Sequence, residues 1–205
     1  MVNNQFRFNK CRIITLLCLL SAGGCSNSPM QFYMLNAESV GAVPSVGPVF
    51  NRNLQIGLGP VHLPEYLDRP QIVTEVSENQ YQLDERHRWA ERLDENIGRT
   101  LSQFLADRLG VEQIVRFPWP QKQTIDYQVL ITVLELHQAA DGNSKLLAQW
   151  QIRHKEQTAL IKRFDCSLPA AIAVESIVKA QSTCLGRLGG EIETGLRQLA
   201  GSAID

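Results

Sequence analysis

Residues Tyr127 to His137 read Tyr-Gln-Val-Leu-Ile-Thr-Val-Leu-Glu-Leu-His, and this run constrains the fold more than any other. Tyr127, Val129, Ile131 and Val133 alternate with Gln128, Leu130, Thr132 and Leu134, but both sets are rich in apolar side chains. A strand that apolar is expected at the centre of a sheet, buried on both faces. Asp141-Gly142-Asn143 follows as a strong turn signal. Leu146 to His154 then returns antiparallel, and Leu160 to Cys166 adds the next strand of a meander.

The rest of the chain supplies partners for this sheet. Short strands are expected at Phe32–Leu35, Leu54–Leu58 and Ile114–Phe117, the last ended by Pro118 and Pro120. Ile72–Val76 and Tyr81–Leu83 flank the turn-prone Ser77 to Asn79 and read as a hairpin. The stretch from Gly41 to Pro48 reads as a loop. Trp89, Leu93, Ile97, Leu101, Phe104, Leu105 and Leu109 recur at three and four, which predicts a helix from about Glu85 to Leu109, stopped by Gly110. A second helix is expected to open at Pro169, with Ile172, Ile177, Gln181, Cys184, Leu185, Leu188, Ile192, Leu196 and Leu199 as its stripe. Gly186, Gly189, Gly190 and Gly195 interrupt that stripe and mark either close packing or a weak point. The expected fold is α+β: a single domain with a mostly antiparallel sheet of about six strands and two long helices packed on one face.

The amino terminus carries an address. Arg7, Lys10 and Arg12 precede the apolar run Ile13 to Ala22, which is far shorter than the roughly 20 residues that span a bilayer. This is the order of a secretory signal. Leu20-Ser21-Ala22-Gly23-Gly24-Cys25 resembles a lipobox, with Ala22 where leucine is usual and Leu20 two places upstream. That resemblance implies a signal peptide over 1–24, diacylglycerol and a further acyl chain such as palmitate on Cys25, and a lipidated tether over 25–31. A periplasmic domain over 32–205 would follow. Two or three acyl chains anchor a protein where one does not. Ser26 and Asn27 follow the cysteine where an aspartate would favour the inner membrane, so the expected location is the outer membrane, lipid-anchored and facing the periplasm.

Cleavage leaves 181 of 205 residues, enough for one domain without a disulfide scaffold. It also takes the cations from 20 to 17 against 21 acids, a net charge near −4 that disfavours nucleic acid as a partner. Cys11 and Cys18 leave with the signal, and Cys166 and Cys184 remain in an oxidising compartment. Their spacing is compatible with a bridge from the last strand to the last helix, and equally with two buried thiols.

Nothing in the pattern announces catalysis. His62, His87, His137 and His154 sit at no zinc spacing, G-x-S-x-G does not occur, and Gly186-Arg187-Leu188-Gly189 lies inside a predicted helix rather than at a phosphate-binding turn. Glu65, Asp68 and Glu85 read as solvated acids rather than a hydrolytic pair. A non-enzyme with no cofactor and no metal is expected.

The most distinctive stretch runs from Ile56 to Val73, Ile-Gly-Leu-Gly-Pro-Val-His-Leu-Pro-Glu-Tyr-Leu-Asp-Arg-Pro-Gln-Ile-Val, followed by His87-Arg88-Trp89-Ala90-Glu91 and Leu93. With Tyr33 and Leu35, Phe117-Pro118-Trp119, Asp126-Tyr127, Leu147 and Trp150, and Ala180-Gln181-Ser182 before Leu185, it resembles the PqiC family. Those are auxiliary lipoproteins of transport systems that maintain membrane integrity with mammalian-cell-entry (MCE) proteins. The resemblance implies a non-catalytic outer-membrane subunit that docks an MCE tunnel and forms a homo-oligomer around its exit. It also implies a system that moves lipid between the membranes, with transported phospholipid as a possible partner and contact of this domain with it left open. Gly59, Pro60, Leu63, Pro64, Tyr66, Leu67, Asp68, Arg69 and Pro70 make a stiffened loop, and Tyr66, Leu67 and Arg69 on it have the chemistry of interface anchors. The bland alternative has Pro64–Leu67 capping the sheet and Arg69 paired to Asp68 or Glu91. Trp89 reads first as core. A plug or assembly factor for a β-barrel is the alternative function, and a periplasmic hydrolase the third.

Overall fold

The structure is a computed structural model that describes residues 29–36, 50–51, 53–120, 122–155 and 157–202. The signal segment, Cys25, the tether up to Ser28 and the Gly41–Pro48 loop lie outside the described residues. In chain order the strands are β1 (Gln31–Tyr33), β2 (Ile56–His62), β3 (Gln71–Ser77), β4 (Gln80–Trp89), β5 (Val115–Arg116), β6 (Tyr127–Gln138), β7 (Asn143–His154) and β8 (Gln157–Pro169). The helices are α1 (Leu93–Leu109), between β4 and β5, and α2 (Val174–Ser202) after β8.

Strand β6 is the centre, as its composition predicts. One edge pairs antiparallel with β7 along its length, and β7 pairs antiparallel with β8. The other edge is shared. Strand β2 lies parallel to the first half, from Ile56 opposite Tyr127 to His62 opposite Thr132, and β3 joins in parallel only at Thr74 opposite Gln138. Beyond β3 come β4, antiparallel, and β1, parallel to β4; beyond β2 comes β5, parallel to it. The sheet is therefore mixed and eight-stranded among the described residues, not mostly antiparallel. Antiparallel neighbours follow one another along the chain and announce themselves by turns, whereas β2 and β6 meet only after a crossover that contains α1.

From Tyr127 to Leu134 only one face of β6 is sealed. Tyr127, Val129, Ile131 and Val133 are buried, whereas Thr132 and Leu134 on the other set are exposed, because both helices cover the first face. Burial on both faces is thus corrected to burial on one.

The first helix is shorter than its periodicity predicts. Residues Glu85–Trp89 are extended: β1 pairs Gln31, Phe32 and Tyr33 with His87, Arg88 and Trp89, Arg88 stands opposite Gln71 of β3, and the Trp89 N–H donates to the Pro70 carbonyl at 2.7 Å. Trp89 is a buried strand residue of the core, not the start of a helical stripe. Helix α1 begins with Asp94 and Glu95 in its first turn, complementing the dipole, and ends at Gly110, whose left-handed φ of 68° suits glycine. Pro169 likewise ends β8 rather than opening α2, and Ile172 is exposed outside the helix.

Two of the glycines of α2, Gly189 and Gly195, mark close packing, whereas a Cβ on Gly190 would meet nothing within 4 Å. A Cβ on Gly189 would lie 2.6 Å from the Phe104 ring, and one on Gly195 would crowd Leu160, Ile152 and Trp150 at 2.9–3.1 Å. The structure bonds Cys166 of β8 to Cys184 of α2, with Cα atoms 5.7 Å apart. The start of the domain is clamped too. Asn96 Oδ1 accepts from the Leu35 N–H at 2.7 Å, Thr100 donates to the Leu35 carbonyl at 3.2 Å, and the Asn36 N–H donates to Ser182 Oγ at 3.1 Å.

A charged clasp joins the two helices. Buried Glu193 accepts from Arg108 Nε at 2.8 Å and Arg197 Nε at 3.0 Å, while Arg197 also donates to the Arg108 carbonyl at 2.7 Å. Removing one member of such a buried set leaves charge without compensation. Glu193→Ala is expected to lower unfolding free energy by about 3 kcal/mol, read from the urea midpoint at unchanged slope.

Candidate docking surface

The Ile56–Val73 motif divides into two parts. In the first, β2 carries a register shift between Leu58 and Val61. Gly59 sits there with φ of +115°, and a Cβ on it would lie 2.8 Å from the Phe117 Cβ, so only glycine is accommodated. Pro60 has no N–H to offer a ladder, and the Gly59 carbonyl instead accepts from the Gln128 amide at 3.0 Å. The Phe117 N–H donates to the Leu58 carbonyl at 2.9 Å.

The bulge therefore seats Phe117-Pro118-Trp119, a motif nearly sixty residues downstream, against β2. Phe117 remains 49% exposed, edge-on to Trp119 with ring centroids 5.3 Å apart. Pro60, Val61, Asp94, Glu95, Arg116 and Phe117 line a cleft of about 230 Å³ beside it, and Arg116 approaches Glu95 at 3.6 Å.

The second part, residues 63–70, leaves the sheet between β2 and β3. The Leu67 and Asp68 N–H groups donate to the Pro64 carbonyl at 2.9 and 3.2 Å, closing a turn. Leu67 is 2% exposed and belongs to the core, so it is unavailable to a partner and the expectation that the loop displays it is corrected. Leu63 and Tyr66 pack half-buried against the same core. The Tyr66 hydroxyl donates to the Leu134 carbonyl at 3.2 Å, at the stretch of β6 edge that neither β2 nor β3 pairs. Arg69 donates to the Glu65 carbonyl at 3.3 Å, and Glu91 pairs with Arg99 at 2.7 Å. Pro64 is half-buried, while Asp68 and Pro70 remain exposed on the turn.

Tyr66 also opens an aromatic cluster on the sheet face away from the helices. Its ring lies 5.3 Å from Tyr81, which meets the buried His137 ring edge-on at 5.3 Å. Burial raises the Tyr66 phenol far above its ordinary value, assisted by Tyr81 and Glu135. Burial also holds the His137 imidazole below its usual 6.5, outweighing the Glu135 and Glu75 carboxylates that favour the cation. Of the other histidines, His87 is fixed by Asp84 at 2.7 Å and His154 stacks on Tyr127 at 4.6 Å, while His62 is exposed. Asp84 gains from this: burial opposes its charge, but the Arg86 N–H and His87 hold its carboxyl below the ordinary value. Among the described residues no group of three or more His, Cys, Asp or Glu side chains is arranged to hold a metal, and no helix is long and apolar enough to cross a membrane.

Sequence periodicity had no means to single out Phe117, because a two-residue strand carries no pattern. The one available signal is its Phe-Pro-Trp composition, two large apolar rings around a proline.

The sequence profile of one family matches residues 33–193, and its members are described as ABC-type transport auxiliary lipoprotein components. This chain belongs to that family. Its PqiC-like features, from Tyr33 through the Gly59-Pro60 bulge to Leu188, fall inside the matched span. Among solved structures, an uncharacterised protein superposes with a TM-score of 0.67 at 21% identity, covering 82% of this chain and 99% of its own. A protein from Xanthomonas campestris superposes with a TM-score of 0.66 at 12% identity, covering 85% and 95% respectively. These likenesses establish the fold. No curated protein matches the chain.

Because His137 binds its proton less readily folded than unfolded, its contribution to stability is complete above about pH 6.5 and is lost as pH falls through the depressed folded value. The urea midpoint should drop between pH 7.5 and 5, and His137→Gln should flatten that slope. Asp84 acts in a separate window, below its ordinary 3.8.

Proposed function

We propose that this auxiliary lipoprotein is a non-catalytic subunit of an MCE-type intermembrane lipid transport system, anchored through Cys25 to the outer membrane and docking the periplasmic tunnel of that system. The observation that carries the reading is the meeting of two family motifs, Gly59-Pro60 and Phe117-Pro118-Trp119, at one exposed aromatic ridge on rigid backbone. An aromatic side chain held in place before a partner arrives loses little entropy on binding, which is what makes such residues interface anchors. Ser26 and Asn27 after the lipidated cysteine support the outer membrane by the sorting rule. A homo-oligomer around the tunnel exit would place several copies of the ridge against one partner, and matching faces on each copy would close the ring. Transported phospholipid would then pass within reach of the assembly.

Affinity purification of the lipidated protein from crosslinked membranes tests this. An MCE-domain protein should be recovered, and Phe117→Asp should reduce its recovery at least about tenfold while leaving the thermal midpoint within 2–3 °C, about what a surface change allows. Recovery of a β-barrel alone would sink the reading.

A further inference from the structure

Met30, Phe32 and Met34 are 48%, 62% and 44% exposed, whereas their neighbours Tyr33 and Leu35 pack into the core. Alternate residues of an extended chain point to opposite sides, so the three form one outward row along β1. That strand is a sheet edge, bonded on one side to β4. Edges are ordinarily protected by charge, proline or cover, and this row has neither a charge nor a proline.

The chain itself says what lies nearest. Met30 is five residues from Cys25, and five extended residues reach at most about 18 Å. The headgroup layer of one leaflet is itself about 5–7 Å deep. No other described strand or helix is so close along the chain to the anchored residue. The row also cannot swing away from the domain, because Asn96, Thr100 and Ser182 hold Leu35 and Asn36 directly behind it. Arg88 stands opposite Phe32 in the register but is paired with Glu85 at 2.7 Å, so the exposed Arg86 is the cation that borders the apolar row. Apolar side chains bordered by arginine are the composition that settles at a bilayer surface containing anionic lipid.

We propose that the outward row Met30, Phe32 and Met34 lies in the headgroup region of the bilayer, a second membrane contact that fixes the orientation of the domain. The proposal rests on the lipid-anchor reading of Cys25 and adds that the folded domain itself touches the membrane.

An environment-sensitive fluorophore on Phe32→Cys tests it in the lipidated protein, with Ile161→Cys on β8 as the comparison, because Ile161 is also exposed but lies on the opposite edge of the sheet. Cys166 and Cys184 are bonded to each other and Cys25 is acylated in this reading, so the new thiol takes the label. On vesicles of phosphatidylethanolamine and phosphatidylglycerol, the label at 32 should shift to the blue and lose at least about fivefold of its quenching by aqueous iodide, while the label at 161 is unchanged. Equal quenching at the two positions on vesicles that carry the protein would overturn the proposal and leave the anchor intact. Protection at 32 that persists without vesicles in protein that begins at Ser26, and so carries neither the anchor nor the signal cysteines, would assign the row to a second copy and overturn it as well. Lipidated protein that fails to float with the vesicles would instead remove the anchor reading, and the proposal with it.

Discussion

The edge of strand β6 opposite β7 is longer than either of its partners fills, and the layout of the molecule follows from how that edge is divided. Strand β2 pairs with it as far as Thr132, β3 returns at Gln138, and the residues between keep backbone groups that must still find partners. The chain meets this by sending residues 63–70 out of the sheet and back, with the Tyr66 hydroxyl reaching the Leu134 carbonyl in the gap. Leu67 drops into the core beneath it. The prolines of the motif are explained by the same need: a segment that leaves a sheet and rejoins it gains from residues that cannot continue a ladder. Most of the motif is thus architecture, which leaves fewer of its residues for an interface than the composition suggests.

That division also bears on where a partner can bind. Gly59 is buried, yet it decides where Phe117 stands, because a side chain at 59 would displace it. The exposed member of the pair comes from the other motif. The exposed ring and the backbone geometry that presents it stand on different segments, so in the proposed docking role sheet integrity and docking would be coupled. The helix clasp of Glu193 with Arg108 and Arg197 stands apart from this and holds the opposite layer.

The elements that were legible in the sequence are those whose partners are adjacent in the chain. Strands β6, β7 and β8, the turn at Gly142, the end of α1 at Gly110 and the stripe of α2 from Ile177 to Leu196 all follow from local pattern and turn chemistry. The parallel pairings were not legible, since neither β2 nor β6 carries a mark naming the other. Glu85 to Trp89 shows why period alone misleads. Trp89 stands at helical spacing from Leu93, but pairing with β1 on one side and β3 on the other satisfies its backbone as a strand, and tertiary pairing outweighs a few tenths of a kcal/mol of propensity. Asn96 and Glu193 were invisible for a related reason: a polar residue on a helix reads as surface until its buried partner is known.

The divided edge also separates two surfaces. From β6 the sheet forks, one branch running through β3 and β4 to β1 and the other through β2 to β5, with residues 63–70 in the fork. The amino terminus enters on the first branch and Phe117 closes the second. In the proposed function, a domain tethered by its first residue can present to a distant partner only what its tether does not draw towards the membrane. Placing the aromatic ridge on the branch that does not carry the terminus meets that constraint without any moving part. In a fully antiparallel meander each strand pairs with its neighbours in the chain, and no such fork would form. The parallel contacts of β2 and β3 with a single edge therefore set the amino terminus and Phe117 on separate branches of the sheet, the arrangement that the proposed anchoring and docking roles require.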